Sequence, residues 1–280
     1  MVKNIKIFMC THRKISVIPP LTIPTQGGAA IHAPITDARP DVGEFGSISE
    51  LNPDYCELTV QYYAWKNEEA DYYGLCHYRR FFSFDERNDS PYSVFGHPSK
   101  RVLRRIIFPE DTMRNIIEKY DLIVPRSEDM GCNVYSQYAS VHGCTEKDLR
   151  LFESIICKRH PELSSFTKKY LAGNRQYFCN MFIMKREIFF DYCEKLFGIL
   201  SEFDTVAKPD GALRCDRVNG YLAERFLGIY ITSLFTSGAK IKELCRIDID
   251  CSFKKRILTK IFPPESKIRF IAKKIFKTKG

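Results

Sequence analysis

Short β-branched and apolar runs recur along this chain among stretches of helical periodicity, and that alternation limits its fold more than any other feature. The runs lie at residues 5–11, 72–76, 121–125 and 180–184. Apolar residues at helical spacing occupy 52–66, 109–120, 146–158, 161–171, 187–201 and 220–234. Strands and helices in alternation predict an α/β sandwich with a mainly parallel sheet. Asn52-Pro53 reads as a helix start, because Asn caps free amides and Pro suits a first turn whose N–H has no partner. A Pro- and Gly-rich loop fills 19–46, with a strand-like piece at 29–31, and 87–105 reads as loop and surface segment. No internal repeat is visible.

At 280 residues, 44% hydrophobic and 13% aromatic, the chain has ample apolar surface for a folded core. No run reaches the roughly 18–20 apolar residues that span a bilayer. The first residues lack the apolar length and cleavage site of a signal peptide, so a cytoplasmic location is expected. The eleven cysteines are odd in number and form no CxxC pair. Cys10, Cys76, Cys179 and Cys193 sit inside apolar runs, where a thiol acts as a small buried hydrophobe, so reduced cysteines are expected. No clustered zinc ligands are visible.

Charge is unevenly placed. Residues 253–280 contain ten Lys or Arg and one acid, Glu265, so this segment carries the whole net charge of +9 and the rest of the chain is neutral. Ile257, Leu258, Ile261 and Phe262 precede a Pro263-Pro264 break; Ile268, Phe270, Ile271, Ile275 and Phe276 follow it. Spacings of three and four place most of each set on one helical face. Two units follow: a body at 1–252 and a basic amphipathic tail at 253–280, suited to an anionic membrane surface. A tail packed on the body is the plainer alternative. The body has no basic stripe interleaved with aromatics and no nucleic-acid motif, so no nucleic-acid partner is expected.

In α/β sheets, ligands gather beyond the carboxyl ends of strands. Polar residues at those ends are Thr11 and His12, then His77, Arg79 and Arg80 within "ADYYGLCHYRRFFSF" (70–84), and Asn180. Two adjacent guanidiniums suit a diphosphate, since each fork donates two parallel bonds to anionic oxygens. The competing reading pairs Arg79 and Arg80 with acids such as Glu57 or Asp71 and leaves His77 as a core residue.

"NPDYCELTVQYYAWKNEEADYYGLCHYRRFF" resembles the hallmark region of a bacterial family of capsular polysaccharide and exopolysaccharide glycosyltransferases, long catalogued as a domain of unknown function, with galactofuranosyltransferase members. The resemblance runs in order through "IKIFMCTHRK", "PTQGG", "SIS", "YCELT", "AWKN", "GLCHYRRFF", "YASVH", "CNMFIMKREIFFDYCEKLF" and "RVNGYLAERF". It implies a single-domain, GT-A-like (Rossmann-like) nucleotide-sugar transferase fold. GT-A enzymes commonly hold a divalent metal (Mn or Mg) through Asp-x-Asp at a strand end. Here His77-Tyr78-Arg79 occupies the place where that motif is expected, and Asp248-Ile249-Asp250 lies late. Cationic side chains are therefore expected to replace part or all of the metal's role, with a metal on His77 left open.

Other roles follow from the same resemblance. Thr11 and His12 meet the nucleotide base or ribose, while His142 and Asn180 contact sugars. Gln26 and Gly27 depart from the family's usual wording, as does the stretch 44–49, which lacks the family's Asp and Asn. An inverting transferase needs a carboxylate base. Glu224 in "NGYLAERF" is the first choice, with an ion pair to Arg225 or Arg217 as its alternative use, and Glu57 is the second. His77 is the other candidate catalytic residue, and Arg217 a candidate substrate contact. The implied partners are a UDP-sugar donor, with galactofuranose preferred, and a lipid-linked oligosaccharide acceptor of capsule, O-antigen or exopolysaccharide synthesis, reached from the inner membrane face. The alternative class is a non-catalytic membrane-surface or polyanion-binding protein using His77, Arg79 and Arg80 as an anion site.

Overall fold

A computed structural model describes residues 2–141, 143–207 and 216–266. The strands are β1 (Ile5–Thr11), β2 (Thr22–Gln26), β3 (Arg39–Pro40), β4 (Tyr72–His77), β5 (Arg80–Ser83), β6 (Tyr92–Val94), β7 (Leu122–Pro125), β8 (Glu128–Asp129), β9 (Arg175–Gln176), β10 (Phe182–Lys185) and β11 (Ile241–Asp248). The α-helices are α1 (Asn52–Tyr55), α2 (Leu58–Asn67), α3 (Lys100–Leu103), α4 (Glu110–Ile117), α5 (Val134–Tyr138), α6 (Glu146–Arg159), α7 (Ser164–Ala172), α8 (Arg186–Ala207), α9 (Val218–Thr236) and α10 (Phe253–Ile261).

All strands but β8 and β9 join one sheet. β1 lies between β2 and β4, parallel to both. β10 enters antiparallel between β4 and β7, and β11 runs parallel to β7 and β6. β5 is antiparallel to the end of β4 and to the second half of β11. The sheet is thus mixed, not mainly parallel as the alternation predicts. Part of the departure arises where the chain turns back at once after His77, since a hairpin leaves no room for a crossover helix; the rest comes from β10, which runs against both of its neighbours.

Alternating side chains serve two cores. From β1, Phe8 and Cys10 join one face, and Ile5, Ile7 and Met9 the other. The first face is covered by α2 and α5 to α9. The second is covered by α3, α4 and the aromatics Phe81, Phe82 and Phe84. Gly74 is required by close packing, because a Cβ there would lie 2.9 Å from the Ile7 side chain of the paired strand.

Three local differences from the sequence reading bear on the site. Residues 29–31 form a turn closed by Ile31 N–H donating to Gly28 O (3.0 Å), not a strand. Residues 87–105 contain β6 and α3. The helix expected over 52–66 breaks at Cys56, whose φ is +52°. Asn52 explains that break: its Nδ2 donates to Cys56 O (2.7 Å) and Thr59 Oγ1 (3.2 Å), satisfying the carbonyl that the helix abandons. Glu57 becomes the N-cap of α2. The ten described cysteines are free thiols. Among the described residues no helix is long and apolar enough to cross a membrane.

Candidate active site

A cleft of about 510 Å³ opens at the carboxyl ends of β1, β2 and β4, within the range typical of small-molecule sites. Seven of the residues singled out in the sequence line it: Thr11, His12, Glu57, His77, Arg79, Arg80 and Arg217. Asn180 and Glu224 stand behind it, and His142 lies outside the described residues. Cys10, Gln26, Gly27, His32, Asn52, Cys56 and Tyr78 complete much of the lining.

The β4–β5 hairpin builds the cationic end. His77 pairs with Arg80, so Tyr78 and Arg79 form a two-residue turn. Tyr78 is buried and anchors that turn, its N–H donating to Cys10 O (3.1 Å). Its ring meets His12 edge-on at 5.1 Å between centroids, and the Arg79 guanidinium lies 5.6 Å from its centre. Among the described residues neither Arg79 nor Arg80 forms an ion pair with a carboxylate. Asp71, their suggested partner, instead faces Lys3 at 3.7 Å and accepts Asn4 N–H at 2.7 Å. Arg217 enters from the start of α9 with φ +74°, its Nε donating to Cys56 Sγ at 3.1 Å. Burial raises the Cys56 thiol to about 12, so it meets Arg217 uncharged. Among the described residues lining the cleft, three guanidiniums thus face one carboxylate, Glu57.

His77 contributes no charge at neutral pH. Its Nε2 donates to Cys179 O at 2.8 Å, because a carbonyl can only accept. Burial first, then the neighbouring Arg80, lowers its pKa to about 3. Nδ1 is left with a lone pair facing outward from that bond, so His77 serves as an uncharged acceptor. Burial lowers His12 as well, with Arg13 and Arg79 adding to the effect.

Behind His77, residues Cys179 and Asn180 have φ values of +77° and +45°. This left-handed turn is held on all sides. Cys179 N–H donates to Glu224 Oε1 (2.7 Å), and Asn180 Nδ2 donates to Glu57 Oε1 (2.8 Å) and Gly220 O (3.0 Å). Glu57 Oε1 also lies 3.8 Å from His77 Nε2. Glu224 Oε2 receives Arg225 at 2.8 Å, and Arg225 is 1% exposed. Glu224 therefore spends both oxygens on structure, the use that its sequence alternative named. Thr11 likewise turns its hydroxyl to its own chain, donating to Arg13 O at 2.6 Å.

Gln26 and Gly27 shape the opposite wall. Gln26 Nε2 donates to Ala33 O (2.8 Å), and Ile35 N–H donates to Gln26 Oε1 (2.7 Å). A Cβ on Gly27 would lie 3.0 Å from Asn52 Nδ2. Buried Asp41 accepts from Gly28 N–H (2.9 Å), Ala29 N–H (3.0 Å) and Ser49 Oγ. Ser49 thus closes the loop internally.

Among the described residues, the donor set does not suit a divalent cation. Asp248, at the end of β11, gives Oδ1 to Arg246 (2.8 Å) and Oδ2 to Lys255 (3.0 Å), and its side chain is 3% exposed. No group of three or more His, Cys, Asp or Glu among the described residues is arranged to hold a metal.

The family described as a domain of unknown function (DUF4422) matches residues 6–234. This chain belongs to that family. Among solved structures, the apo structure of the WbbM bifunctional glycosyltransferase superposes with a TM-score of 0.78 at 31% identity. The match covers 89% of this chain and 46% of that one, so this chain spans less than half of that neighbour's length. No curated protein matches the chain. The family match takes in every cleft residue, whereas α10 lies beyond it.

Two outcomes follow. The unfolded chain takes up the His77 proton near the ordinary value of 6.5 and the folded chain only near 3. The folded state is thus favoured above pH 6.5 and loses about 1.4 kcal/mol per pH unit as pH falls through that window. Urea denaturation at pH 7 and pH 5 should show the native chain losing about 2 kcal/mol more than His77→Gln. For Glu224→Ala, the stranded Arg225 charge should cost about 3–5 kcal/mol, read as a lowered Tm. An unchanged Tm would mean that Glu224 does not hold that pair.

Proposed function

We propose that this chain is a glycosyltransferase that holds a nucleoside-diphosphate sugar in the cleft and passes the sugar to an acceptor hydroxyl. The observation carrying this reading is that, among the described residues, three guanidiniums face a single carboxylate in the cleft at the ends of β1 and β4. The glycosyltransferase neighbour and the ordered motifs support it further.

As the bond from the anomeric carbon to the diphosphate breaks, negative charge grows on the leaving oxygens. Arg79, Arg80 and Arg217 already line the cleft and would oppose this charge as it develops. Their forks fit paired phosphate oxygens. Glu57 replaces Glu224 as the preferred base, since it lines the cleft and Asn180 fixes one of its oxygens. It would take the acceptor's proton as the hydroxyl attacks. Uncharged His77 would accept a hydrogen bond from a sugar or ribose hydroxyl through Nδ1. Thr11 and His12 line the side suited to the nucleoside.

The narrower reading is a UDP-sugar donor, galactofuranose by preference, transferred with inversion to a lipid-linked glycan in capsule, O-antigen or exopolysaccharide synthesis. It rests on the motif resemblance. A polyanion-binding role remains the competing outcome of the test below.

Thermal shift with UDP, GDP, CDP and pyrophosphate, each in EDTA, tests the class. UDP at one hundred times its Kd should add about 2.7 kcal/mol of stability, while Arg79→Ala should lose most of that gain. An equal response to every polyphosphate would replace the transferase reading with a plain anion site. Glu57→Gln should retain UDP binding yet lower kcat by about 100-fold or more. Full turnover in that variant would remove Glu57 as the base.

A further inference from the structure

Helix α10 sits on the body with the wrong side outward for a water-soluble surface. Its N-cap Ser252 accepts from Lys255 N–H at 3.3 Å. Lys255 reaches back to Asp248 at 3.0 Å, and the Arg256 guanidinium packs against Gly96, 2.8 Å from where a Cβ would be. Part of the cationic side therefore faces protein. The apolar residues at helical spacings of four, five and eight stay largely open to solvent, although Phe253 and Ile257 border a recess beside Tyr92 and Phe95. Phe253 is 70% exposed, Ile261 55%, Leu258 46% and Ile257 39%, and the helix buries none of its residues. Lys254 falls on the same side, where its long stem can lie along the apolar surface while its ammonium reaches water.

The platform is fixed rather than trailing. Beyond the helix, Glu265 pairs with Arg175 at 2.8 Å and accepts Asp129 N–H at 3.0 Å. Both ends of the segment are thus bound to the body, one at β11 and one at the β8–β9 ribbon.

We propose that α10 docks this protein on an anionic phospholipid surface, its exposed apolar face entering the headgroup boundary. The choice of occupant follows from charge. Residues 253–280 contain ten Lys or Arg and one acid. A second copy would bring two such segments together and repel. Residues 267–280 add six further cations and no acid, so they bring no counter-charge to the patch. A nucleic acid would satisfy the charge and leave the apolar side chains in water. Anionic lipid answers both requirements. The inference is independent of the transferase reading, and failure of either leaves the other standing.

The test uses the full chain in co-sedimentation with vesicles of phosphatidylglycerol and phosphatidylcholine, or phosphatidylcholine alone. Binding to the anionic vesicles should exceed that to neutral ones by about tenfold or more and weaken with salt. The triple variant Phe253→Ser, Leu258→Ser and Ile261→Ser should lose about tenfold or more of that binding. Its Tm should hold, because the replaced side chains face solvent. Anionic binding unchanged in the variant would overturn the proposal, leaving charge alone as the cause. Absence of binding by the native chain would overturn it too. So would a concentration-dependent dimer, seen in sedimentation velocity, that the triple variant abolishes.

Discussion

The hydrogen bond from His77 Nε2 to Cys179 O joins two elements a hundred residues apart in sequence, and the cleft depends on it. Its acceptor belongs to a left-handed turn made of two non-glycine residues, a conformation that costs energy wherever the surroundings do not impose it. Glu224, Glu57 and Gly220 supply that imposition. The result places β4, α2, α9 and the entry to β10 around one peptide. An orienting bond on the imidazole also fixes which ring nitrogen carries the proton.

The buried pair Glu224–Arg225 extends the same logic inward. Arg225 donates to Tyr221 O and to Gln137 Oε1, and lies 5.2 Å from the centre of the Tyr138 ring. A charge so far from water persists only where partners surround it. Motifs that read as catalytic in the sequence are therefore divided by the fold. Those at the hairpin face the cleft, whereas "NGYLAERF" braces the turn behind it.

Four of the strands, β1, β4, β7 and β10, were legible because they are near-continuous apolar runs, the signature of strands covered on both faces. β11 escaped notice since charged residues interrupt it. Lys242 and Arg246 reach Glu86 and Glu128, and sequence alone cannot reveal such distant partners. The break at Cys56 was hidden as well: nothing in "NPDYCELT" announces a positive φ at a cysteine, and it is Asn52, folded back on Cys56 and Thr59, that makes the break affordable. The arginines were found by type and position. For Glu224 the sequence left a base and an ion pair to Arg225 both open, because a Glu beside an Arg reads the same whether it faces solvent, substrate or its neighbour.

Gln26 divides the labour of the cleft. One end is made of strand termini and a tight hairpin, whose geometry the sheet dictates. The facing wall, residues 32–35, is a loop that hangs from both ends of the Gln26 amide. Substitutions within that loop can recut the wall while the hairpin and its arginines stay where they are. Such an arrangement separates the part of the cleft that substitution can reshape from the part that the sheet holds in place.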